Sequence, residues 1–247
     1  MRDSSSMLEG RNVCLEALRR GTSIDRLIIL EGRPDASLST VIREAKKRGI
    51  RIEFVPRSRL DQISETGKHQ GVIAYTASMD FASVEDILKA AGDKSEPPLI
   101  VMLDGITDPH NLGAIIRTAN VCGAHGVIIK KHQSVGLTAT VAKASAGAIM
   151  HTPVARVTNL VRTMEDLKKR GLWFVCADAS GENMYELSLT GPMCLIIGDE
   201  GKGVSKLVRE SCDYCGAIPM KGEISSLNAS VAAGVFLYEI VRQRISG

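Results

Sequence analysis

Three loops of this 247-residue chain hold more glycine and polar side chains than a turn requires, and each follows an apolar run of strand-like composition. The first is Leu103-Asp104-Gly105-Ile106-Thr107-Asp108-Pro109-His110-Asn111-Leu112-Gly113, leading into a helical stretch that carries Arg117. Asp108-Pro109 and the glycines are turn chemistry, and Asn111 suits a helix N-cap. Arg117 has no such local explanation. Ala114, Ile115, Ile116, Ala119 and Val121 make its helix apolar nearly all round, so a guanidinium there needs an anionic or polar partner. The second loop, Ile197-Gly198-Asp199-Glu200-Gly201-Lys202-Gly203-Val204, has glycines spaced for close backbone approach. Its Gly-x-x-Gly-x-Gly pattern fits neither the dinucleotide fingerprint nor the P-loop. The third, residues 218–230, begins Ile218-Pro219-Met220-Lys221 and opens an apolar helix. Capping accounts for one polar residue there, but not for Ser225, Ser226, Asn228 and Ser230 together.

Alternating strand-like and helix-like segments place these loops. From residue 97 onward strands are expected at 99–103, 126–129, 153–157, 173–177, 193–197 and 216–219. Helices are expected at 111–122, 138–149, 160–170, 205–211 and 227–245. Strands bounded by helices imply a mostly parallel sheet covered on both faces, and such sheets bind ligands at the carboxyl ends of their strands. The N-terminal third reads as a smaller α/β unit, with helices at 8–20, 37–49 and 58–65 and strands at 26–30, 51–55 and 71–76. An acidic, Pro-closed stretch with a short helix at 84–91 separates the two. The expected organisation is therefore a domain at 1–78, a linker at 79–96 and a larger domain at 97–247.

Composition bounds the setting. The chain is 44% hydrophobic and 24% charged, an ordinary globular balance, and with 4% aromatics its cores must be built from Ile, Leu, Val and Ala. No apolar run approaches the ~20 residues that span a bilayer, and the first ten residues lack the apolar region of a signal peptide. Cys14, Cys122, Cys176 and Cys194 sit in apolar runs, as buried thiols do. Cys212-x-x-Cys215 lacks a second pair or a His partner, so no metal site is expected. These features point to a reduced, cytoplasmic protein. The net charge of +3 is unevenly spread: residues 1–78 hold 14 Lys and Arg against 10 Asp and Glu, an excess of +4. That excess suits an anionic partner such as nucleic acid, although solvated helix faces also produce such runs.

Together and in this order, the three loops resemble the motifs of the SpoU-type (TrmH-like) RNA ribose 2′-O-methyltransferases. The likeness spans 97–247 and includes DGITDPHNLGAIIR at 104–117, TATVAKASAGA at 138–148, GDEGKG at 198–203 and IPMKGEISSLNAS at 218–230. Glu9-Gly10-Arg11-Asn12 and His69-Gln70-Gly71-Val72 resemble the additional substrate-binding domain of the large-subunit ribosomal RNA guanosine methyltransferases. Asp199 departs from the pattern, where Ser or Ala is usual. The resemblance implies a SPOUT-type parallel sheet with a deep trefoil knot, an exception to the rule against knots. It also implies S-adenosylmethionine as cofactor and a homodimer whose active site draws on both subunits. By motif position Gly198, Ile218 and Leu227 are expected at the cofactor. Asn111, Arg117, Glu200, Ser226 and Asn228 are expected to form the catalytic and substrate-binding set, with Asn111 and Glu200 orienting Arg117. The implied reaction is methyl transfer to a ribose 2′-hydroxyl, in ribosomal RNA or, alternatively, transfer RNA. A non-catalytic RNA-binding protein is the rival from another class.

Overall fold

The computed structural model describes residues 6–22, 24–76, 81–224 and 226–246. The chain forms two compact units, Met1–Asp80 with Gly136–His151, and Phe81–Val135 with Thr152–Gly247.

The first unit runs β1 (Ser6–Glu9), α1 (Arg11–Arg20), β2 (Ile24–Leu30), α2 (Ala36–Lys47), β3 (Arg51–Val55), α3 (Arg57–Ile63) and β4 (Val72–Thr76). Its sheet has the order β1-β4-β2-β3, with β2 and β3 parallel and the other pairs antiparallel. The helix expected at 8–20 is thus divided. Met7 and Leu8 pair with Tyr75 and Ala74 of β4, and Gly10 at φ +96° makes the turn into α1. Only a residue without a Cβ takes that backbone readily, so the helix cannot start earlier.

The second unit begins with α4 (Val84–Lys94), whose Ser83–Asp86 capping box fixes its start and whose Ile87 is fully buried in the core. Within the stretch 79–96, read from composition as a linker with a short helix at 84–91, the helix runs 84–94 and is seated on the sheet; residues 79 and 80 lie outside the described residues. Next come β5 (Leu99–Asp104), α5 (Pro109–Val121) and β6 (Gly126–Lys130). The following helix α6 (Ala139–Ala144) falls by its contacts in the first unit, where it packs against β1. The second unit resumes with β7 (Val154–Val157), α7 (Leu160–Lys168), β8 (Trp173–Asn183), β9 (Met193–Gly198), α8 (Lys206–Glu210), β10 (Tyr214–Ala217) and α9 (Ala229–Ser246). All six strands are parallel, in the order β10-β8-β9-β5-β6-β7. Every residue of the two central strands, β5 and β9, is buried, as expected for strands covered on both faces. They pair in register from Leu99↔Met193 to Asp104↔Gly198, so the first two loops leave the sheet side by side.

At the opposite end of β5, the buried His125 ring accepts the Leu99 N–H at Nδ1 (3.1 Å) and meets Glu96 Oε2 through Nε2 (3.2 Å). Burial, reinforced by the Lys94 charge, holds the ring's pKa below the ordinary imidazole value. The unfolded chain therefore takes up a proton at higher pH than the folded one. This contribution to stability is complete at neutral pH and is lost as pH falls below about 6.5. His125→Leu is expected to remove this pH-dependent part and to cost about 1–3 kcal/mol at neutral pH by orphaning the Leu99 N–H. Urea titrations of both proteins across that pH range measure the difference.

Candidate active site

The geometry at the carboxyl ends of β5 and β9 follows from two carboxylates. Asp104, buried, closes β5; its Oδ1 accepts the Lys130 ammonium at 3.0 Å and its Oδ2 the Ser205 N–H at 2.8 Å. Burial pushes this carboxyl up, but the Ser205 hydrogen bonds and the Lys130 charge outweigh it, and its pKa lies below the usual carboxylate range. Asp104 thereby ties the end of the second loop to the ends of β5 and β6. Inside that loop Asp199 Oδ1 accepts the N–H groups of Gly201 and Lys202, each at 3.0 Å. The loop closes through Gly203 N–H to Asp199 O (2.8 Å). The residue that departs from the family pattern thus shapes the loop with its side chain.

Glu200 stands at the tip. Its Oε1 accepts the Asn111 amide at 2.9 Å, the Asn228 amide at close range and the Ala229 N–H at 3.4 Å. Asn228 Nδ2 also donates to Asn111 Oδ1 at 3.0 Å. The Asn228 Oδ1 in turn accepts Ser230 N–H (2.9 Å), Val231 N–H (3.3 Å) and the Ser230 hydroxyl (2.6 Å), which caps α9. One residue from each of the three loops therefore meets the other two. Asn111 is not the cap of α5; Asp108 is, accepting the His110 N–H at 3.0 Å, and this frees Asn111 to point inward.

Beside this cluster lies a pocket of about 410 Å³, lined by Gly198, Ile218 and Leu227, and by Glu200 and Ser226. Ile197 and Phe236 add apolar wall, and Asp178 and Asp199 add carboxylates. The sequence did not place Asp178 or Phe236 at the site; Phe236, expected among the apolar surface of the last helix that a dimer would cover, is buried within the protomer. Asp178 lies within β8, just after its buried segment 174–176 and just past the end of the strand expected at 173–177, and that place is the signal that marks it. Hydrogen bonds from the Ser180 hydroxyl and N–H keep its carboxyl below the usual range. Ser225 lies outside the described residues.

Arg117 departs from expectation. It is exposed, and among the described residues it makes no hydrogen bond or ion pair, so Glu200 does not orient it within the chain. The inner face of α5 is taken by Leu112, Ile115, Ile116 and Ala119, all buried. Helical periodicity turns Arg117 outward with Ala114, Thr118 and Val121.

Comparison with known proteins identifies the family of the chain. Residues 98–238 match the SpoU rRNA Methylase family, and residues 7–81 match the RNA 2′-O ribose methyltransferase substrate-binding family. A Bacillus subtilis (strain 168) protein, YacO, named for the TrmH family of tRNA/rRNA methyltransferases, is 50% identical over 95% of this chain and 94% of its own. The SpoU methyltransferase AviRb of Streptomyces viridochromogenes, solved with AdoMet, is 28% identical, with a TM-score of 0.85 over 100% of this chain and 93% of that one. A tRNA-modifying TrmH/SpoU enzyme of A. aeolicus is 31% identical, with a TM-score of 0.56, covering 61% of this chain and 77% of its own.

A Cβ on Gly198 would overlap the backbone of Gly203 and Val204, whereas one on Gly201 would meet only Asp199 Oδ1 at 3.4 Å. Gly198→Ala is expected to cost about 1–3 kcal/mol by forcing the loop apart. Gly201→Ala should stay within about 0.5 kcal/mol of the parent. Thermal melts of the two variants check the contrast.

Proposed function

Because the chain belongs to the SpoU family of RNA methylases, we propose that it transfers the methyl group of S-adenosylmethionine to a ribose 2′-hydroxyl, on a guanosine of large-subunit ribosomal RNA. The observation that carries this reading is the Asn111–Glu200–Asn228 cluster beside the glycine-lined pocket at adjoining strand ends. A pocket of about 410 Å³ is of small-molecule size. Its donor set suits the cofactor: Ile197, Ile218, Leu227 and Phe236 offer apolar surface to an adenine, and Asp178, Asp199 and Glu200 offer negative charge to a sulfonium and an ammonium. Gly198, Ile218 and Leu227 would hold the cofactor chiefly through backbone groups. When bound, it supplies an electrophilic methyl carbon, so the remaining task is to aim a hydroxyl oxygen and accept its proton. The passage of the chain from β10 back to α9 through a trefoil knot belongs to this proposal.

Ribosomal RNA is favoured by the separate substrate-binding unit. The family matched by residues 98–238 is described as an rRNA methylase family, whereas the tRNA-modifying A. aeolicus enzyme covers 61% of this chain. The setting that goes with this function is the cytoplasm; the six cysteines are free, and among the described residues no helix is long and apolar enough to cross a membrane.

The outward face of α5 and α9 supports a homodimer. Val121 is 66% exposed, Val231 49%, Tyr238 56% and Ile245 80%, more apolar surface than a solvated helix pair normally shows. Arg117 lies on this face of α5, so the proposed role passes across the dimer, from Arg117 of one copy to the cleft of the other. Glu200 Oε2, without a partner among the described residues, is free to fix its guanidinium plane. A guanidinium stays protonated, so Arg117 binds the target phosphate or polarises the hydroxyl, and the proton leaves to phosphate or water. Ser226 lines the pocket wall next to Leu227 and completes the set.

Arg117→Ala and Arg117→Lys should both melt like the parent and bind S-adenosylmethionine. Both should lose methyl transfer by about a hundredfold or more, since Lys keeps the charge but not the planar fork. Arg117→Ala and Glu200→Ala subunits, each inactive alone, should on mixing recover about a quarter of parental activity, because half the dimers are mixed and each holds one intact shared site. A fully active Arg117→Lys enzyme, or no recovery on mixing while subunit exchange proceeds, contradicts the assignment.

A further inference from the structure

In the first unit Glu9 is fully buried, yet among the described residues it forms no ion pair. Its oxygens are taken instead by the loop after α3. The Ser64 hydroxyl donates to Oε2 at 2.7 Å, Glu65 N–H to Oε1 at 2.6 Å, Thr66 N–H to both at 3.4 Å, and the Thr66 hydroxyl to Oε2 at close range. Burial pushes this carboxyl up, but those donors outweigh it and hold it below the usual range, so Glu9 stays ionised. Its charge is spread over loop donors and occupies no cation.

The Thr66 hydroxyl, having given its proton to Glu9, accepts from two directions: Lys68 N–H at 3.3 Å and the Lys143 ammonium of α6 at 3.5 Å. It thus brings an exposed lysine of the loop next to a half-buried lysine that lies far along the chain. Lys47 of the same unit, by contrast, is paired with Glu44 at 3.1 Å. The Glu9-Gly10-Arg11 and His69-Gln70-Gly71-Val72 segments brace the loop by binding each other. Arg11 N–H and Nε reach Gln70 Oε1 and O at 3.2 and 2.8 Å, and Gly10 N–H reaches Val72 O at 3.2 Å. The frame thus holds the Lys68 backbone and the Lys143 ammonium on one hydroxyl, with the exposed Lys68 side chain close enough for its charge to act on Lys143.

We propose that Lys68 and Lys143 grip a phosphodiester of the RNA backbone, with Glu9 and Thr66 as the frame that holds them together. The proposal rests on the RNA reading above and names a place where the first unit meets its substrate. A lysine is a compact point charge with free donors, suited to a phosphate oxygen, and such a contact positions RNA without reading its sequence. Burial and the Lys68 charge both pull the Lys143 ammonium below its usual range, a strain that a bound anion relieves.

Binding of the full-length protein to polyuridylate and to a large-subunit ribosomal RNA transcript, titrated with salt, tests this. Lys68→Ala and Lys143→Ala should each weaken both RNAs about tenfold. Each should also lower the slope of log affinity against log salt by about one. Lys143→Arg should retain most of the affinity, and Lys47→Ala should bind like the parent. All variants should keep the parental melting temperature and S-adenosylmethionine affinity. Folded Lys68→Ala and Lys143→Ala proteins with parental affinity and slope overturn the clamp while leaving the RNA reading intact. A parent that binds neither RNA overturns both, and a parent that binds inorganic phosphate as tightly as RNA overturns the backbone as the ligand.

Discussion

The meeting of the second unit's three loops depends on a single carboxylate oxygen. Glu200 Oε1 draws in the side-chain amides of Asn111 and Asn228 and the Ala229 N–H, groups from the first and third loops, which are distant in sequence. Hydrogen bonds to an ionised acceptor are each worth about 1.5–3 kcal/mol when sheltered, less when water reaches them. Their value here is geometric. With Asn228 capping α9 and Asn111 on the first turn of α5, the carboxylate fixes two helices and the pocket mouth relative to one another. The other interactions serve this point. In-register pairing of β5 and β9 starts the loops side by side, Asp104 ties down Ser205, and Asp199 folds the loop that lifts Glu200 to its place.

A division of labour follows from the two kinds of surface. The second unit offers a pocket with apolar walls and carboxylates, suited to a small cationic cofactor. The first offers a loop braced by a buried carboxylate, with Lys68 exposed on it and the Lys143 ammonium beside it, charges suited to a polyanion. In the first unit Glu9 accepts hydrogen bonds from the loop after α3; in the second Glu200 accepts them from the first and third loops.

The parallel sheet was legible because its central strands β5, β6 and β9 are rich in Ile, Leu and Val and all are separated by turn residues; all six strands occur close to where periodicity puts them. The meeting of Asn111, Glu200 and Asn228 was legible only through family likeness, since no local pattern relates them. The direction of Arg117 was not legible. A helix rich in Ala and Ile looks apolar all round by composition, and only the packing shows that Leu112, Ile115 and Ile116 take the inside. Strand β1 was hidden because four residues carry no period of their own and are fixed by pairing to β4, far along the chain. The placement of α6 with the first unit is likewise a long-range packing choice that local propensity does not encode.

The central claim is that Glu200 and Asn228 act as one device, and a double-mutant cycle on the methyl-transfer rate measures it. Glu200→Ala, Asn228→Ala and the double variant would be compared at saturating S-adenosylmethionine on an RNA that the parent methylates. The account predicts that the double variant is about as slow as the slower single one, because either change dismantles the same constellation. Rate losses that multiply, as for two independent residues, would contradict it.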